Sequence, residues 1–215
     1  CSYDFFAFLL SAEAHRKRNG FDKINLIFTP GDKKGFRNDN LRSHEQNTQF
    51  FLNVILPGGH FLKSVVGINW INNRNEFLKL NILENNIFPR GYSIDNPKTD
   101  YVMRGLVTSY FREEEPVLFH TPEYSINIAR KILENISKEK KIITLTVREL
   151  ERDDFSKTRT INYPAWEKVF KKFEKSQYQP VIIRDTSKAH LTKPLFKNVP
   201  EITTASYHLH IRYAL

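Results

Sequence analysis

An arginine that closes an apolar run is available for chemistry. Arg148 follows Lys141-Ile142-Ile143-Thr144-Leu145-Thr146-Val147, and its guanidinium cannot stay inside a sheet. It either reaches into a crevice or pairs with an acid such as Glu149 or Asp185. The fixed fork of donors matches the oxygens of a diphosphate. Arg159 and Asn162 flank the start of a helical run, where free backbone N–H groups and the helix dipole favour an anion. Asn162 is equally well explained as a plain N-cap. Arg184-Asp185-Thr186 closes a second apolar run, and an Asp there can accept a ribose or sugar hydroxyl or simply cap a turn.

A second polar stretch, Gly31-Asp32-Lys33-Lys34-Gly35-Phe36-Arg37-Asn38-Asp39-Asn40, directly follows an apolar run, as ligand-binding loops do. Its glycines match no phosphate-binding fingerprint, so it reads as a surface loop or as an acceptor-side loop through Gly31, Arg37 and Asp39. Asp153-Asp154 is a lone adjacent pair in a charged loop, and no metal is expected on it. His208 and His210 are two apart in an expected helix, hence on different faces and poorly placed to share a metal. No Gly-x-Ser-x-Gly, Walker or Gly-x-Gly-x-x-Gly motif occurs, which lowers the case for a hydrolase, NTPase or dinucleotide enzyme. No residue stands out as a catalytic base.

These side chains need elements to hold them. Lys141 to Val147 is β-branched nearly throughout and lacks polar alternation, as a strand covered on both faces does. Glu149 to Ile161 is a charged loop. Asn162 and Pro164 open a helix through Trp166, Val169, Phe170 and Phe173, with Lys168, Lys171, Lys172 and Lys175 mostly on its other face. Pro180 marks the return, and Val181-Ile182-Ile183 is the second strand. A right-handed βαβ crossover then sets both polar loops at the carboxyl edge of a parallel sheet, where open α/β folds bind ligands.

Upstream, Ser2 caps a helix striped by Phe5, Phe8, Leu9 and Ala12 and ended by Gly20. Ile24 to Phe28 and Val65 to Trp70 read as strands. Glu45 to Leu56 reads as a helix broken by Pro57-Gly58-Gly59, and a short helix is expected near Glu76 to Leu80. Ile87-Phe88 is expected to be extended and Asp100 to Phe111 helical. Thr121 and Pro122 read as the cap and first turn of a helix through Ile126, Ala129, Ile132, Leu133 and Ile136. After Asp185, Thr186 to Pro200 is irregular, Glu201-Ile202-Thr203 is a short strand, and Ala205 to Leu215 is a helix. The alternation argues for α/β with parallel strands in two lobes, residues 1–138 and 139–215.

The 215 residues can bury a real core, and a formal charge of +9 with a pI near 9.5 favours anionic partners. The cations are scattered among acids, and Arg16-Lys17-Arg18 and Lys138-Glu139-Lys140-Lys141 are short and sit at helix ends, which argues against a nucleic-acid arm. No run is long enough to span a bilayer, Phe5 to Leu10 is too short for a signal peptide, and a soluble, cytoplasmic protein of open oligomeric state is expected. The single cysteine, Cys1, excludes an intrachain disulfide. Cys1 in place of an initiator Met and an uncapped helical end at Leu215 lead us to expect a fragment, truncated at both ends.

Ile143-Thr144-Leu145-Thr146-Val147-Arg148-Glu149, Arg159-Thr160-Ile161-Asn162-Tyr163-Pro164-Ala165-Trp166 and Pro180-Val181-Ile182-Ile183-Arg184-Asp185-Thr186 together resemble bacterial glycosyltransferase-like proteins of the GT-B type. Ser2-Tyr3-Asp4-Phe5-Phe6 and Gly35-Phe36-Arg37-Asn38-Asp39 look similar to their N-terminal lobe. A more distant likeness is to fucosyltransferases, in which a strand ending in Arg and a later one ending near Asp frame the donor site. That likeness implies two Rossmann-like lobes, an acceptor-side lobe of residues 1–138 and a nucleotide-sugar lobe of residues 139–215. It further implies a nucleotide-sugar as substrate with no metal cofactor, Arg148 on the donor diphosphate, and Asp185 and Thr186 on the nucleoside. Glu149, Arg159, Asn162 and Arg184 complete the expected donor site. Fucosyltransferases carry His and a second Arg around the first Arg, where this chain has Thr146 and Glu149. The alternatives are an anion-binding module for nucleic acid or charged glycan, and a transferase fold kept as a scaffold.

Overall fold

The computed structural model describes residues 4–31, 43–80, 82–83, 86–93, 117–149, 160–185, 189 and 193–215. The chain is mixed α/β and divides into two compact units, Cys1–His120 and Thr121–Leu215, each with its own two-stranded parallel sheet.

In the first unit α1 (Asp4–Arg18) precedes β1 (Ile24–Phe28), which pairs in parallel with β2 (Val65–Trp70). The apolar stripe of α1 does what its spacing demands. Leu9 is fully buried with Leu26 and Leu62, and Phe5, Phe6, Ile24, Phe28, Val65, Ile68, Val117 and Phe119 close around them.

Between the strands the expected break at Pro57-Gly58-Gly59 does not occur. The helical run α2 (His44–Phe50) passes through a π turn at Phe51–Ile55 into α3 (Leu56–Gly58) and a 3-10 turn at Gly59–Phe61. A proline inside an α-helix clashes with the carbonyl four residues back. Here the N–H of Leu56 instead reaches the carbonyl of Phe51, and this wider turn lets Pro57 begin a fresh one. Ser43 and Gln46 form a capping box at the start of the run. Gly58 and Gly59 act as spacers. A Cβ on Gly58 would run into the ring of Phe6, and one on Gly59 would meet the Cδ1 atoms of Ile68 and Leu26 at 2.7 and 2.9 Å.

After β2, α4 (Arg74–Leu78) is capped by Asn73, slightly earlier than its spacing suggested. Ile87 and Phe88 lie in a bend rather than an extended piece, next to a cis Phe88–Pro89 bond. The helix expected over 100–111 lies outside the described residues.

The second unit opens with α5 (Glu123–Ile136), so this helix belongs with it and not with the first 138 residues as expected. Pro122 itself occupies the cap position, without a side-chain bond from Thr121. β3 (Lys141–Thr146) runs parallel to β4 (Tyr178–Ile183), joined by α6 (Tyr163–Phe173), as the crossover reading required. Pro180 is inside β4 rather than before it.

Burial departs from the expectation that β3 is covered on both faces. β3 is only partly covered, whereas Val181 and Ile182 are fully buried and Ile183 is 2% exposed. β4 is the inner strand because Glu201 bridges Ile182 on its far side, with Ile182 N–H to the Pro200 carbonyl at 2.8 Å and Ile202 N–H to the Ile182 carbonyl at 2.9 Å. Only Glu201 of the expected strand pairs. Thr203 already begins α7 (Thr203–Tyr207), and the helix expected over 205–215 is interrupted at extended His208 before α8 (Leu209–Ala214).

Alternation along β4 feeds two cores. Ile182 faces Val147, Phe170, Phe196 and Val199, with Trp166 and Phe173 against them. Val181 and Ile183 face Ile202, Ala205 and Ile211, with Ile132, Leu133 and Ile136 of α5.

One buried charge in the first unit was not legible in advance. Glu13 of α1 takes two bonds of 2.8 Å from Arg16 and one of 2.6 Å from Ser64 next to β2. Burial raises its carboxyl's proton affinity, but the bonds from Arg16 and Ser64 outweigh this and hold it below its ordinary value of 4.5.

Two outcomes follow from these contacts. Gly58→Ala gains up to about 1 kcal/mol of helix propensity but overpacks Phe6 by about 1–3 kcal/mol, so urea denaturation will show a net loss. A carboxylate whose folded-state affinity for protons is lowered contributes stability above its unfolded value and loses it as the pH falls. The midpoint of unfolding should therefore drop as the pH falls through and below 4.5, and Glu13→Gln should flatten that limb while lowering stability at neutral pH.

Candidate functional site

The carboxyl edge of the β3–β4 sheet is built by three chain segments. Val147 N–H extends the pairing to the Ile183 carbonyl at 3.0 Å, which carries Arg148 and Glu149 past the last regular pair and next to Arg184 and Asp185. Ile161 N–H returns to the Arg148 carbonyl at 3.0 Å, bringing the start of α6 to the same edge. Asn162 accepts from Ala165 N–H at 3.2 Å with Pro164 in the first turn, so its carboxamide serves as the cap.

The two arginines of this edge have different fates. Arg184 is buried and grips buried Glu149 with both arms of the fork, Nε to Oε2 at 2.9 Å and Nη2 to Oε1 at 2.6 Å. Its Nη1 donates to the Lys193 carbonyl at 3.0 Å and lies 3.9 Å from Glu201 Oε2. The hydrogen bonds that Arg184 donates to Glu149, opposed by burial and aided by the charges of Glu149 and Glu201, raise the proton affinity of Arg184 above its already high value. The guanidinium therefore stays charged inside the protein. Arg148, by contrast, is exposed, and no acid holds its side chain among the described residues. Of its expected acidic partners, Glu149 is engaged with Arg184, and Asp185 is half-buried and has interactions of its own.

Of the other expected donor-side residues, Arg159 and Thr186 lie outside the described residues. On the acceptor side so do Arg37 and Asp39, while Gly31 is half-buried after β1. Near Gly31, Arg74 Nε donates to the Pro30 carbonyl at 3.0 Å, and Thr29 and Tyr92 share a hydroxyl bond of 3.1 Å.

Three participants at the edge escaped the sequence reading. Glu201 approaches Arg184 while accepting a bond from Leu195 N–H, Lys193 supplies a backbone carbonyl, and Arg212 Nη2 donates to the Arg184 carbonyl at 2.7 Å. Only the expected strand at Glu201 pointed toward one of them. No group of His, Cys, Asp and Glu suited to a metal ion occurs among the described residues, and no helix among them is long and apolar enough to cross a membrane.

Comparison with known proteins returned no matching protein family, no matching curated protein and no matching solved structure.

The geometry separates the energetics of the two arginines. Arg184→Met strands Glu149 in the interior and should lower stability by about 3–5 kcal/mol in chemical denaturation. Replacing both members, Glu149→Leu with Arg184→Met, removes the stranded charge and should recover most of that loss.

Proposed function

We propose that the chain is glycosyltransferase-like, holding the diphosphate of a nucleotide-sugar at the carboxyl edge of its second unit and passing the sugar to an acceptor. In this reading the two α/β units are Rossmann-like lobes of a GT-B arrangement, the first on the acceptor side and the second on the donor side. The observation that carries the reading is Arg148. It is an exposed cation one residue beyond buried Val147, at the sheet edge where the capped crossover helix begins.

The roles divide by what each side chain has left to give. Arg148 offers to the diphosphate a fork that no acid among the described residues holds, and the first N–H groups of α6 stand at the same edge to take a phosphate oxygen. Arg184 and Glu149 hold the two edge segments in register. Asp185 and Thr186 contact the nucleoside, and Arg159 adds positive charge. The residues named bind and orient the donor, and none is assigned as a catalytic base. Protein cations and backbone donors offset the diphosphate charge, so the proposed site needs no metal.

A second reading has its own observation. Lys168, Lys171 and Lys172 on α6 and Lys175 just after it are all exposed, a set of cations suited to an anionic polymer such as a charged glycan or nucleic acid. Binding of that kind weakens steeply with salt because it releases counterions.

Titration calorimetry with UDP- and GDP-sugars, run alongside thermal melting, tests the donor reading. Hydrogen bonds to charged groups contribute about 1.5–3 kcal/mol each, so Arg148→Ala should weaken nucleotide-sugar binding roughly ten- to a hundred-fold. The melting temperature should stay unchanged, because among the described residues Arg148 holds no partner that its loss would strand. Absence of nucleotide-sugar binding by the parent protein overturns the donor site. Retention of a heparin or RNA probe that collapses with added salt would then favour the polymer.

A further inference from the structure

The last helix is held by contacts of two kinds. Ile211 is buried in the core made by Val181, Ile183, Ile202 and Ala205, with Leu215 packed against it. Two residues from Arg212, whose side chain bonds the Arg184 carbonyl, lies His210. The imidazole of His210 sits 5.5 Å from the ring of Tyr124 on α5 and 5.7 Å from the ring of His208, centroid to centroid. Its Nδ1 is buried and meets no hydrogen-bond partner among the described residues.

We propose that α8 is a pH-sensitive latch, docked on α5 and β4 while His210 is neutral and released when His210 takes up a proton. An imidazolium carries N–H on both ring nitrogens and accepts at neither. With the neutral ring protonated at Nε2, the proton added on becoming charged has no acceptor at Nδ1 among the described residues, and the new charge would stand beside a second histidine. The elements packed against α8 bring no carboxylate into contact with His210 among the described residues. α5 brings Tyr124, while its Glu123, Arg130, Lys131 and Glu134 are exposed. The α7–α8 junction brings His208, of the same sign when protonated. β4 brings apolar Val181 and Ile183 and then Arg184, which is turned to Glu149. On α8 itself Arg212 is a further cation.

Burial first, and the charge of His208 second, hold the imidazole below its ordinary value of 6.5. Because the folded-state value is lowered, docking is at full strength above the unfolded value and weakens as the pH falls through 6.5 and below. Undocking exposes His210, lets it ionise, and removes the Arg212 bond from the Arg184 carbonyl. The inference concerns the docking of α8 and stands whether or not the nearby edge binds a nucleotide-sugar.

Hydrogen exchange read by mass spectrometry on the full chain tests it, because the readout is local. A global melt would be confounded by His15 in the first unit, whose imidazole burial and the charges of Arg90 and Arg18 also lower. After correction for intrinsic exchange, protection over Leu209–Ala214 should fall roughly tenfold between about pH 7.5 and 5.5 in the parent chain. His210→Phe, which keeps a ring against Tyr124 and cannot ionise, should abolish that fall, and His208→Gln should lessen it. Equal acid loss in the parent and in His210→Phe, or no loss in the parent, overturns the latch. If His210→Phe does not fold, NMR titration of His210 in the parent decides: an imidazole ionising below 6.5 supports the latch and one at or above 6.5 overturns it.

Discussion

A guanidinium taken out of water at the end of β4 is the constraint around which the second unit is arranged. Arg184 follows three buried apolar residues, so its charge enters the interior with the strand. An isolated charge there costs several kcal/mol, and only a close, well-oriented carboxylate offsets that cost. Glu149 meets the fork with two bonds, the Lys193 carbonyl takes a third donor, and Glu201 adds a more distant charge. Those partners come from the end of β3, from the segment before Glu201, and from the bridge beside β4. Each connection must therefore arrive at one edge for the core to close.

The first unit solves a similar problem locally. Glu13 and Arg16 are one helical turn apart, so their pairing is made within α1, and Ser64 beside β2 adds the tertiary bond. Arg16 also donates to the carbonyl of Phe21 at 2.6 Å, which fastens the turn leading from α1 into β1. In the second unit the partners of the ion pair are far apart in the chain, and their meeting depends on the parallel register of β3 and β4. The register that pairs Thr146 with Ile183 places Glu149 and Arg184 just beyond the same pleats.

Commitment of Arg184 changes what the sheet edge offers to a ligand. An arginine already bound in both arms presents little to an incoming phosphate, whereas exposed Arg148 has no acid on its fork among the described residues. Two arginines at one edge thus divide into a structural cation and an accessible one. α8 is tied to the same edge through Arg212, whose Nη2 donates to the Arg184 carbonyl.

Much of the local architecture was legible from residue order. β1 and β2 fall on the expected residues, Asn162 caps α6, and β3 and β4 pair in parallel, because β-branched runs, capping residues and helical spacing act over a few residues. The placement of α5 with the second unit, the passage of the helix through Pro57, and the inner position of β4 were not. They depend on contacts between distant segments: α5 against Val181 and Ile183, Gly58 against Phe6, and Glu201 beside Ile182. The site shows the same split. Sequence alone placed Arg148, Glu149, Arg184 and Asp185 at the ends of two strands, since an apolar run must stop where charges begin. Which arginine is buried with Glu149 and which stays in water was decided by tertiary structure, because only the assembled sheet determines which strand end is covered and which charge must find a partner there.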